Sequence, residues 1–310
     1  MRPHKLAEAL WGLARLGLQV PMPWLDAALH CLTAAPPSGI RLAATLRKGG
    51  AVEGSIPGSG GGGDGAAAAP AFGGVPTAGG CGGGGLAGLN AVQLTNAVWA
   101  VVELSAAAGR EEVTRAWARP VFAATQGRLR RLTASQLVDL LWNVARGRRQ
   151  PLGPWRTTAA AALAAAAPRL APWQLARAAA ALAKMRLASP YKLVAALLLS
   201  LRRRLDAATP ADVAAMVWAL RFITRPYTPV VVRRHRRDLR DLAAATLPCL
   251  PTLAPAQLVQ LADGFAHLGV LPGVEWMRAH REACIRLRNR FTEANRRKVR
   301  TAYALMMSLS

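Results

Sequence analysis

Amide and charged side chains recur at one helical phase in several stretches of this chain. The fullest example is Gln136, Asp139, Asn143 and Arg146, which are three or four residues apart. Because an α-helix has about 3.6 residues per turn, this spacing places the four side chains on one face. Hydrogen-bonding groups arranged in this way can contact the edges of unpaired nucleobases. Across the chain the base-facing candidates are Asn96, Asp139, Asn143, Arg146, Arg177, Lys184, Gln260 and His267.

A polar face on any single helix is more simply explained as a surface exposed to water. The side chain at one equivalent position changes along the chain, from Asn96 to Asp139, Arg177 and Gln260. A constant phase with a variable side chain is typical of proteins that read one RNA base per repeat, and it is equally typical of an unselected surface. The sequence leaves these two interpretations open.

Lysine and arginine outnumber aspartate and glutamate by 40 to 16, which gives a formal net charge of +24. This excess indicates a polyanionic partner, either RNA or DNA, ahead of an acidic membrane surface. GC-rich codon usage, which enriches arginine, alanine and glycine together, and a merely solvated basic surface are competing explanations. The phosphate-contacting candidates are Arg202, Arg203, Arg204, Arg233, Arg234, Arg236, Arg237, Arg296, Arg297 and Arg300.

The sequence does not predict an enzyme. It contains no paired acid and base, no nucleophile with a suitably placed histidine, and no cluster of metal ligands. The four cysteines are scattered without a C-x-x-C pair, so we expect free thiols in a reducing compartment. His280 and Cys284 can share a helix face, but two ligands do not make a zinc site. We therefore predict no catalytic residue, no metal and no cofactor.

The helix that must position the fullest polar stripe has the sequence TASQLVDLLWNVA and begins at Thr133. Thr133 can cap its N-terminus, and Gln136 can complete a capping box. With Leu137 as position zero, Trp142 stands at position +5. The same pattern, with or without the tryptophan, starts at Leu6, Leu94, Leu175, Val213, Leu258 and Lys298.

From Leu94 onward these copies begin 38 to 45 residues apart, a period typical of helical-repeat arrays. A proline and an aromatic residue open a second helix, and we expect these aromatic rings to pack between repeats. The sequence thus predicts an all-α fold, a right-handed α-solenoid of ~38-residue helix-turn-helix repeats. We call the first helix of each repeat helix A and the second helix B. The proline-aromatic pairs are Pro23-Trp24, Pro154-Trp155, Pro190-Tyr191 and Pro226-Tyr227.

Residues 49–88 consist mostly of glycine, alanine, proline and serine. Such a composition cannot bury enough apolar surface to form a core, so it predicts a disordered insertion. A phosphate-binding glycine loop is excluded, because no strand precedes the segment and no G-K-[ST] follows. The chain is therefore divided into a first helical repeat unit over 1–48, the insertion over 49–88, and tandem helical repeats over 89–310.

The longest apolar runs, such as Ala159 to Ala167, fall short of the ~18 residues that a membrane span requires. The N-terminus does not resemble a signal or transit peptide, because the first repeat helix starts almost at once. We therefore expect a chain without a membrane span that is cytosolic, already processed, or a fragment of a longer product.

The repeat period, the L-x-x-x-x-W first helix and the proline-aromatic opening of the second helix resemble octotricopeptide repeats. They also resemble the related leucine-rich region of FAST-kinase-like proteins. The likeness covers Lys5 to Leu32 and Asn90 to Ser310. The P-P-P-E-W-L-like motif of these repeats has counterparts that start at Pro21 and, more loosely, at Pro272. The copies at Leu175 and Leu258 lack the tryptophan.

The resemblance implies a soluble protein of the chloroplast stroma or mitochondrial matrix. Such a protein would bind a specific single-stranded organellar transcript and support its stability, processing or translation, with proteins of a ribonucleoprotein complex as further partners. Many relatives of this kind end in a RAP domain, which no segment here matches, so we predict no cleavage. The alternative is a HEAT- or armadillo-like protein-protein interaction scaffold for acidic proteins.

Overall fold

A computed structural model describes residues 2–33, 85–147, 150–151 and 153–308, with the side chains of 111–115 excluded. These residues form α-helices and short 3-10 turns, and no strand lies among them. The all-α prediction is therefore confirmed. The described helices are α1 (Pro3–Arg15), α2 (Met22–Thr33), α3 (Ala91–Ala107), α4 (Glu111–Gln126), α5 (Ala134–Arg146), α6 (Gly153–Ala166), α7 (Pro172–Lys184), α8 (Tyr191–Arg202), α9 (Pro210–Ile223), α10 (Thr228–Thr246), α11 (Pro255–Leu268), α12 (Val274–Arg286) and α13 (Glu293–Met307).

The helices form two layers. Each A helix packs against the A helix of the next repeat, in the order α1, α3, α5, α7, α9, α11 and α13. The B helices α2, α4, α6, α8 and α10 pack in the same order, and α12 contacts the 3-10 segment Leu247–Thr252 that follows α10. This nearest-neighbour pattern is that of a helical-repeat array, in which every repeat covers the apolar face of the one before. Its right-handed sense stays a prediction.

The predicted capping residues start the A helices. Thr133 accepts a hydrogen bond from the Gln136 backbone N–H, and the Gln136 side chain accepts one from the Thr133 N–H. Asn90 begins α3 and Thr209 begins α9 with the same reciprocal pair. In α7 the cap residue is Ala171, which has no side-chain oxygen, so only the Gln174 half of the box forms. These caps satisfy backbone donors that would otherwise lack partners at the helix starts.

The prediction that aromatic residues opening the B helices pack between repeats is confirmed at Trp155, and Trp276 at the start of α12 packs in the same way. Trp155 and Trp276 are almost fully buried. Their indole N–H groups donate to threonine hydroxyls near the ends of the preceding B helices, Thr125 at 2.8 Å and Thr246 at 2.9 Å. Each tryptophan thus fills the core between two B helices while its one polar atom is satisfied.

A row of small residues brings the A helices together. Position +6 of α3, α5, α7, α9 and α11 is buried in every case. A Cβ atom added to Gly264 would lie 2.6 Å from Cγ1 of Val217 on α9, so only glycine fits there without rearrangement. The prediction that Asn143, at position +6 of α5, lies on an exposed polar face is wrong, because each A helix contacts A helices on both sides. The +6 residues are Ala100, Asn143, Ala181, Ala219 and Gly264.

His280 connects the last three helices. Its Nε2 lies 3.0 Å from the carbonyl oxygen of Leu258 on α11, and its Nδ1 lies 2.9 Å from the hydroxyl of Tyr303 on α13. Its ring stacks on Trp276 at a centroid distance of 4.8 Å. Burial lowers the pKa of His280 to about 4, so the ring is neutral at pH 7. The Sγ of Cys284 lies 3.6 Å from Nδ1 of His280, so the two side chains form part of the packed interface between α11, α12 and α13.

Part of the predicted insertion lies inside the described structure. Gly85–Gly88 forms a 3-10 turn with Leu86 buried, and Arg128 donates to the carbonyl oxygens of Ala87 and Leu89. The described array therefore resumes before residue 89. Residues 34–84, which include the rest of the predicted insertion and the end of the first unit, lie outside the described residues.

Two further expectations can be compared with the described residues. Cys249 and Cys284 are free thiols, whereas Cys31 is disulfide-bonded, so the expectation of four free thiols is wrong at that residue. None of the described helices combines the length and the hydropathy that crossing a membrane requires.

Candidate nucleic-acid interface

The exposed surface of the A helices is centred on positions +2, +5 and +9. At 100° per residue these positions span roughly 140° to 200° from position zero, opposite the apolar stripe. All are exposed or half-buried except Ala180 and Asp263. We call this surface the A-face strip, and in α3, α5, α7, α9 and α11 it comprises Asn96, Trp99, Glu103, Asp139, Trp142, Arg146, Arg177, Ala180, Lys184, Ala215, Trp218, Phe222, Gln260, Asp263 and His267.

Ion pairs between consecutive A helices run along the strip. Arg146 on α5 pairs with Glu103 on α3, with Nη2 and Oε2 3.1 Å apart. Arg177 on α7 lies 3.4 Å from the Asp139 carboxylate on α5. The Arg146 guanidinium lowers the pKa of Glu103, and Glu103 in turn raises the pKa of Arg146. Each pair therefore joins one repeat to the next and fixes the direction of its arginine.

Two cations from the following repeat lie over the ring of Trp142. The guanidinium carbon of Arg177 is 5.3 Å from the centre of its ring, and Nζ of Lys184 is 4.2 Å away. Both distances fall within the range of cation–π attraction. Burial, and secondarily the charge of Arg146, lowers the pKa of Lys184. A planar arginine that covers an aromatic ring keeps its other face available for a flat ligand.

The strip changes character at α9 and α11. Phe222 at position +9 of α9 carries Arg221 and Arg225 over its ring, at 4.9 Å and 5.9 Å. Arg221 also pairs with Asp263 at position +5 of α11, where α3, α5 and α9 have tryptophan. At α9 and α11 an aromatic ring again lies beside cations. Here the ring stands at position +9, and an acidic residue stands at position +5 of α11.

The eight base-facing candidates divide into three groups. Asn143 belongs to the buried +6 row, is 2% exposed and lines a small cavity between α3, α4 and α5, so it is removed from the interface. Asp139, Arg146 and Arg177 lie on the strip within the ion pairs, and Lys184 lies beside Trp142. Asn96, Gln260 and His267 lie on the strip outside the arginine pairs.

His267 is exposed at the end of α11. Its Nδ1 lies 2.8 Å from the backbone carbonyl of Asp263, which places the ring proton on that nitrogen. Burial, followed by the charges of Arg221 and Arg225, lowers its pKa. The ring is therefore neutral at pH 7, with Nε2 left as a hydrogen-bond acceptor.

Two of the phosphate-contacting candidates share a groove with His267. Arg233 and Arg236 on the first half of α10 line this groove together with the end of α11, and its volume is about 730 Å³. Both arginines are exposed, and neither has an acidic partner within ion-pair distance among the described residues. The fold thus brings a base-facing candidate and two phosphate-contacting candidates to one place. We call this site the α10 groove.

Other phosphate-contacting candidates already have partners in the array. Arg202 pairs with Asp238 at 2.9 Å and with Asp241 at 3.0 Å, both on α10. Asp238 also lies 2.8 Å from Nδ1 of His235, whose Nε2 contacts the hydroxyl of Tyr191 at 3.0 Å. Since this network joins α8 to α10, Arg202 is primarily a packing residue.

The remaining phosphate-contacting candidates lie in several different environments. Arg204 donates to the carbonyl oxygens of Pro168 and Ser200 and so ties the end of α8 to the 3-10 turn that follows α6. Arg296 and Arg300 both pair with Glu293 on α13. Arg234 covers the ring of Tyr191 at 5.4 Å. Arg203, Arg237 and Arg297 are exposed.

Sequence reasoning missed the aromatic part of the strip. Trp142 served there only to define the repeat pattern, in which Trp99 and Trp218 stand at the same position +5. All three do pack against the core, and they are also only half-buried. The signal was present in the sequence, because position +5 lies only about 40° from position +9.

A scan against models of protein families and a search of curated proteins found no match to this chain. The resemblance to octotricopeptide repeats therefore stays a prediction that depends on the period and the motifs.

Proposed function

We propose that this protein binds single-stranded RNA, with the bases along the A-face strip and the backbone over the α10 groove. The observation that carries the proposal is that cations lie over aromatic rings of the strip at two places. Arg177 covers Trp142, and Arg221 covers Phe222. Proteins that bind single strands combine these two elements, since rings and guanidinium planes stack on bases and cations neutralise phosphates.

The contact at Trp142 gives the proposal its clearest geometry. Arg177 lies over the tryptophan and pairs with Asp139, so both contacts hold its guanidinium beside the ring before RNA arrives. A base would stack on the outer face of that guanidinium, which extends the Trp–Arg stack by one layer. Its edge would then meet the polar residues at positions +2 and +9 of the adjacent helices.

Phosphate binding is assigned to the α10 groove. Arg233 and Arg236 are exposed at its wall and would donate to phosphate oxygens, whereas the neutral His267 at its other side would accept from a base or a 2′-hydroxyl. Each phosphate contact releases counterions, so affinity should fall steeply with salt, by about 0.7 in log–log slope per contact for a single strand. In this proposal the protein carries out no catalytic step.

The biological setting is proposed on the resemblance alone. It would be the chloroplast stroma or mitochondrial matrix, where the protein would support the stability, processing or translation of a specific transcript. Proteins of a ribonucleoprotein complex would be its further partners.

The alternative function is a HEAT- or armadillo-like scaffold for acidic proteins. The paired state of the strip favours it, since Arg146 and Arg177 already have carboxylate partners inside the array. In that case the ion pairs would serve only to hold neighbouring repeats together.

One experiment separates these two functions. The purified chain would be used to select ligands from a random RNA library, and the affinity of the selected and the unselected RNA would be measured from about 50 to about 200 mM salt. We expect a steep salt dependence for both, with tighter binding of the selected RNA at every salt concentration. Failure to bind RNA at the lowest salt would overturn RNA binding and leave the scaffold.

A further inference from the structure

A second groove with the same position in the repeat lies two repeats before the α10 groove. It is formed by the first two turns of α6, the end of α7 and the turn that joins α7 to α8. The corresponding walls of the α10 groove are the start of α10 and the end of α11. The volume of the second groove is about 180 Å³. We call this site the α6 groove, and its lining includes Arg156, Thr157, Leu182, Leu187 and Ser189.

Arg156 is the cation on the α6 wall of this groove. It is exposed, and its side chain makes no ion pair or hydrogen bond among the described residues. The hydroxyls of the lining are already used. Thr157 donates to the carbonyl oxygen of Gly153 at 3.2 Å, and Ser189 donates to the carbonyl oxygen two residues before it at 3.4 Å. An anion that enters the groove would therefore be bound by arginine.

Arg186, in the turn from α7 to α8, adopts a backbone conformation that glycine adopts in three other repeats. Its φ is 53°, in the left-handed region that residues with a side chain disfavour. The turns after α1, α3 and α11 have Gly17, Gly109 and Gly269 at φ of 66° to 68°. In all four turns this residue donates its backbone N–H to the carbonyl oxygen three residues before it, so the four positions are equivalent.

No contact within the described array accounts for an arginine at this strained position. Arg186 is exposed, and its side chain makes no ion pair or hydrogen bond there. Strain of this kind points to a role of the side chain in function. Arg186 precedes Leu187 of the groove lining and follows Lys184, at position +9 of α7, by two residues. In the α10 groove the residue at position +9 of α11, His267, lines the groove itself. The turn at Arg186 therefore connects the α6 groove to the A-face strip.

We propose that Arg156 and Arg186 bind the RNA phosphates next to the base that stacks at Trp142. This inference rests on the proposed function and supplies the phosphate contacts of its clearest base contact. Arg177 and Lys184 of α7 lie over the Trp142 ring of α5. The α6 groove lies between the end of α7 and the B helix that follows α5, whereas the α10 groove is two repeats away. A base and its adjacent phosphates would thus be held at one junction between repeats.

The test uses an Arg156→Ala, Arg186→Gly variant, which we call the groove variant. Its matched control is an Arg131→Ala, Arg169→Ala variant. The control residues are exposed in the turns that lead into α5 and α7, at the opposite ends of these helices, and the net charge changes equally. We expect the groove variant to bind selected RNA about tenfold more weakly than the wild type at low salt, with a log–log salt slope lower by about 1.4. Equal losses in the control would overturn the inference.

Thermal unfolding separates a binding role of Arg186 from a structural one. Glycine relieves the left-handed strain, so the single Arg186→Gly variant should unfold at no lower temperature than the wild type. Its salt slope should nevertheless fall by about 0.7, which is one phosphate contact. Unchanged RNA affinity would overturn the role of Arg186, whatever the unfolding temperature.

Two scans of the selected RNA test whether the phosphates and the base belong to one junction. A methylphosphonate beside a 2′-O-methyl ribose removes one backbone charge at a time, and an abasic nucleotide removes one base at a time. One linkage should matter to the wild type but not to the groove variant. We expect it to adjoin the nucleotide whose base matters to the wild type but not to an Arg177→Ala variant. Positions several nucleotides apart would overturn the link between the α6 groove and Trp142.

The same measurements keep this inference apart from the proposed function. Failure of the wild type to bind RNA at the lowest salt would overturn both. Full affinity of the groove variant, in an assay where an Arg233→Glu, Arg236→Glu variant is weakened, would overturn the role of the α6 groove alone.

Discussion

The A-face strip and the α10 groove carry the same kind of cation in two different states. On the strip, Arg146 and Arg177 are each held by a carboxylate of the preceding A helix. In the α10 groove, Arg233 and Arg236 are exposed and lack an acidic partner among the described residues. The two arginines of the strip are therefore charge-paired, whereas the two arginines of the groove are exposed and unpaired.

This difference separates two parts of recognition. A cation held in one direction contributes little long-range attraction, but it can distinguish the shape and edge of a base. An exposed arginine attracts any polyanion and discriminates poorly between sequences. On the proposed function, the strip would determine which RNA is bound and the α10 groove would determine how tightly.

The largest effect should come from reversing charge in the groove. We expect an Arg233→Glu, Arg236→Glu variant to lose affinity for every RNA on the order of 100-fold at low salt, since attraction is replaced by repulsion. The log–log salt slope should fall by about 1.4, which is two single-strand contacts. Filter binding of selected and unselected RNA across salt measures both quantities.

A matched control is available at the other end of the helical hairpins, away from the α10 groove. Arg130 and Arg131 are exposed in the turn that leads into α5, so the same double reversal changes the net charge equally. If this control loses as much affinity as the groove variant, net charge and not the groove determines binding.

Much of the fold could be read from the sequence because its signals are local. A cap such as Thr133 with Gln136 involves residues three apart, and the apolar stripe needs only one helix. The same locality explains the error at Asn143. A single helical phase cannot show that two neighbouring A helices, about 40 residues away in either direction, widen the buried arc until position +6 lies inside it.

The candidate site was harder to predict than the fold. The Arg146–Glu103 pair spans 43 residues, and both residues stand at position +9 of their helices. The sequence could show that they share a phase, but it could not show that the helices lie close enough to pair them. Likewise, Arg202 and Arg233 both belong to basic clusters, and only tertiary packing separates a packing residue from an exposed one.

A smaller and more selective effect is expected at the strip. Arg177→Ala removes one of the two cations that cover Trp142, and binding of the selected RNA should weaken about tenfold while binding of unselected RNA changes little. Competition between the two RNAs on the variant measures the loss of preference. Arg169→Ala, at an exposed arginine just before α7, should leave that preference intact. Equal losses for both RNAs would contradict the assignment of selection to the strip.

The smallest effect is expected when one pair of the strip is broken. Glu103→Gln should lower the free energy of unfolding by less than about 1 kcal/mol at pH 7, because both side chains are about one-third exposed. The pKa of Glu103 is lowered from 4.5 in the folded protein, so its contribution is present above that value and is lost as the pH falls below it. The wild type and the variant should therefore converge in acid.

Denaturant unfolding at a series of pH values measures this difference, with Glu282→Gln at an exposed position of α12 as the control. The same variant frees Arg146 from its carboxylate and makes the strip resemble the α10 groove. We therefore expect its RNA affinity to rise modestly while its preference for the selected RNA falls. Retained preference with a freed arginine would mean that the pair stabilises the array without taking part in selection.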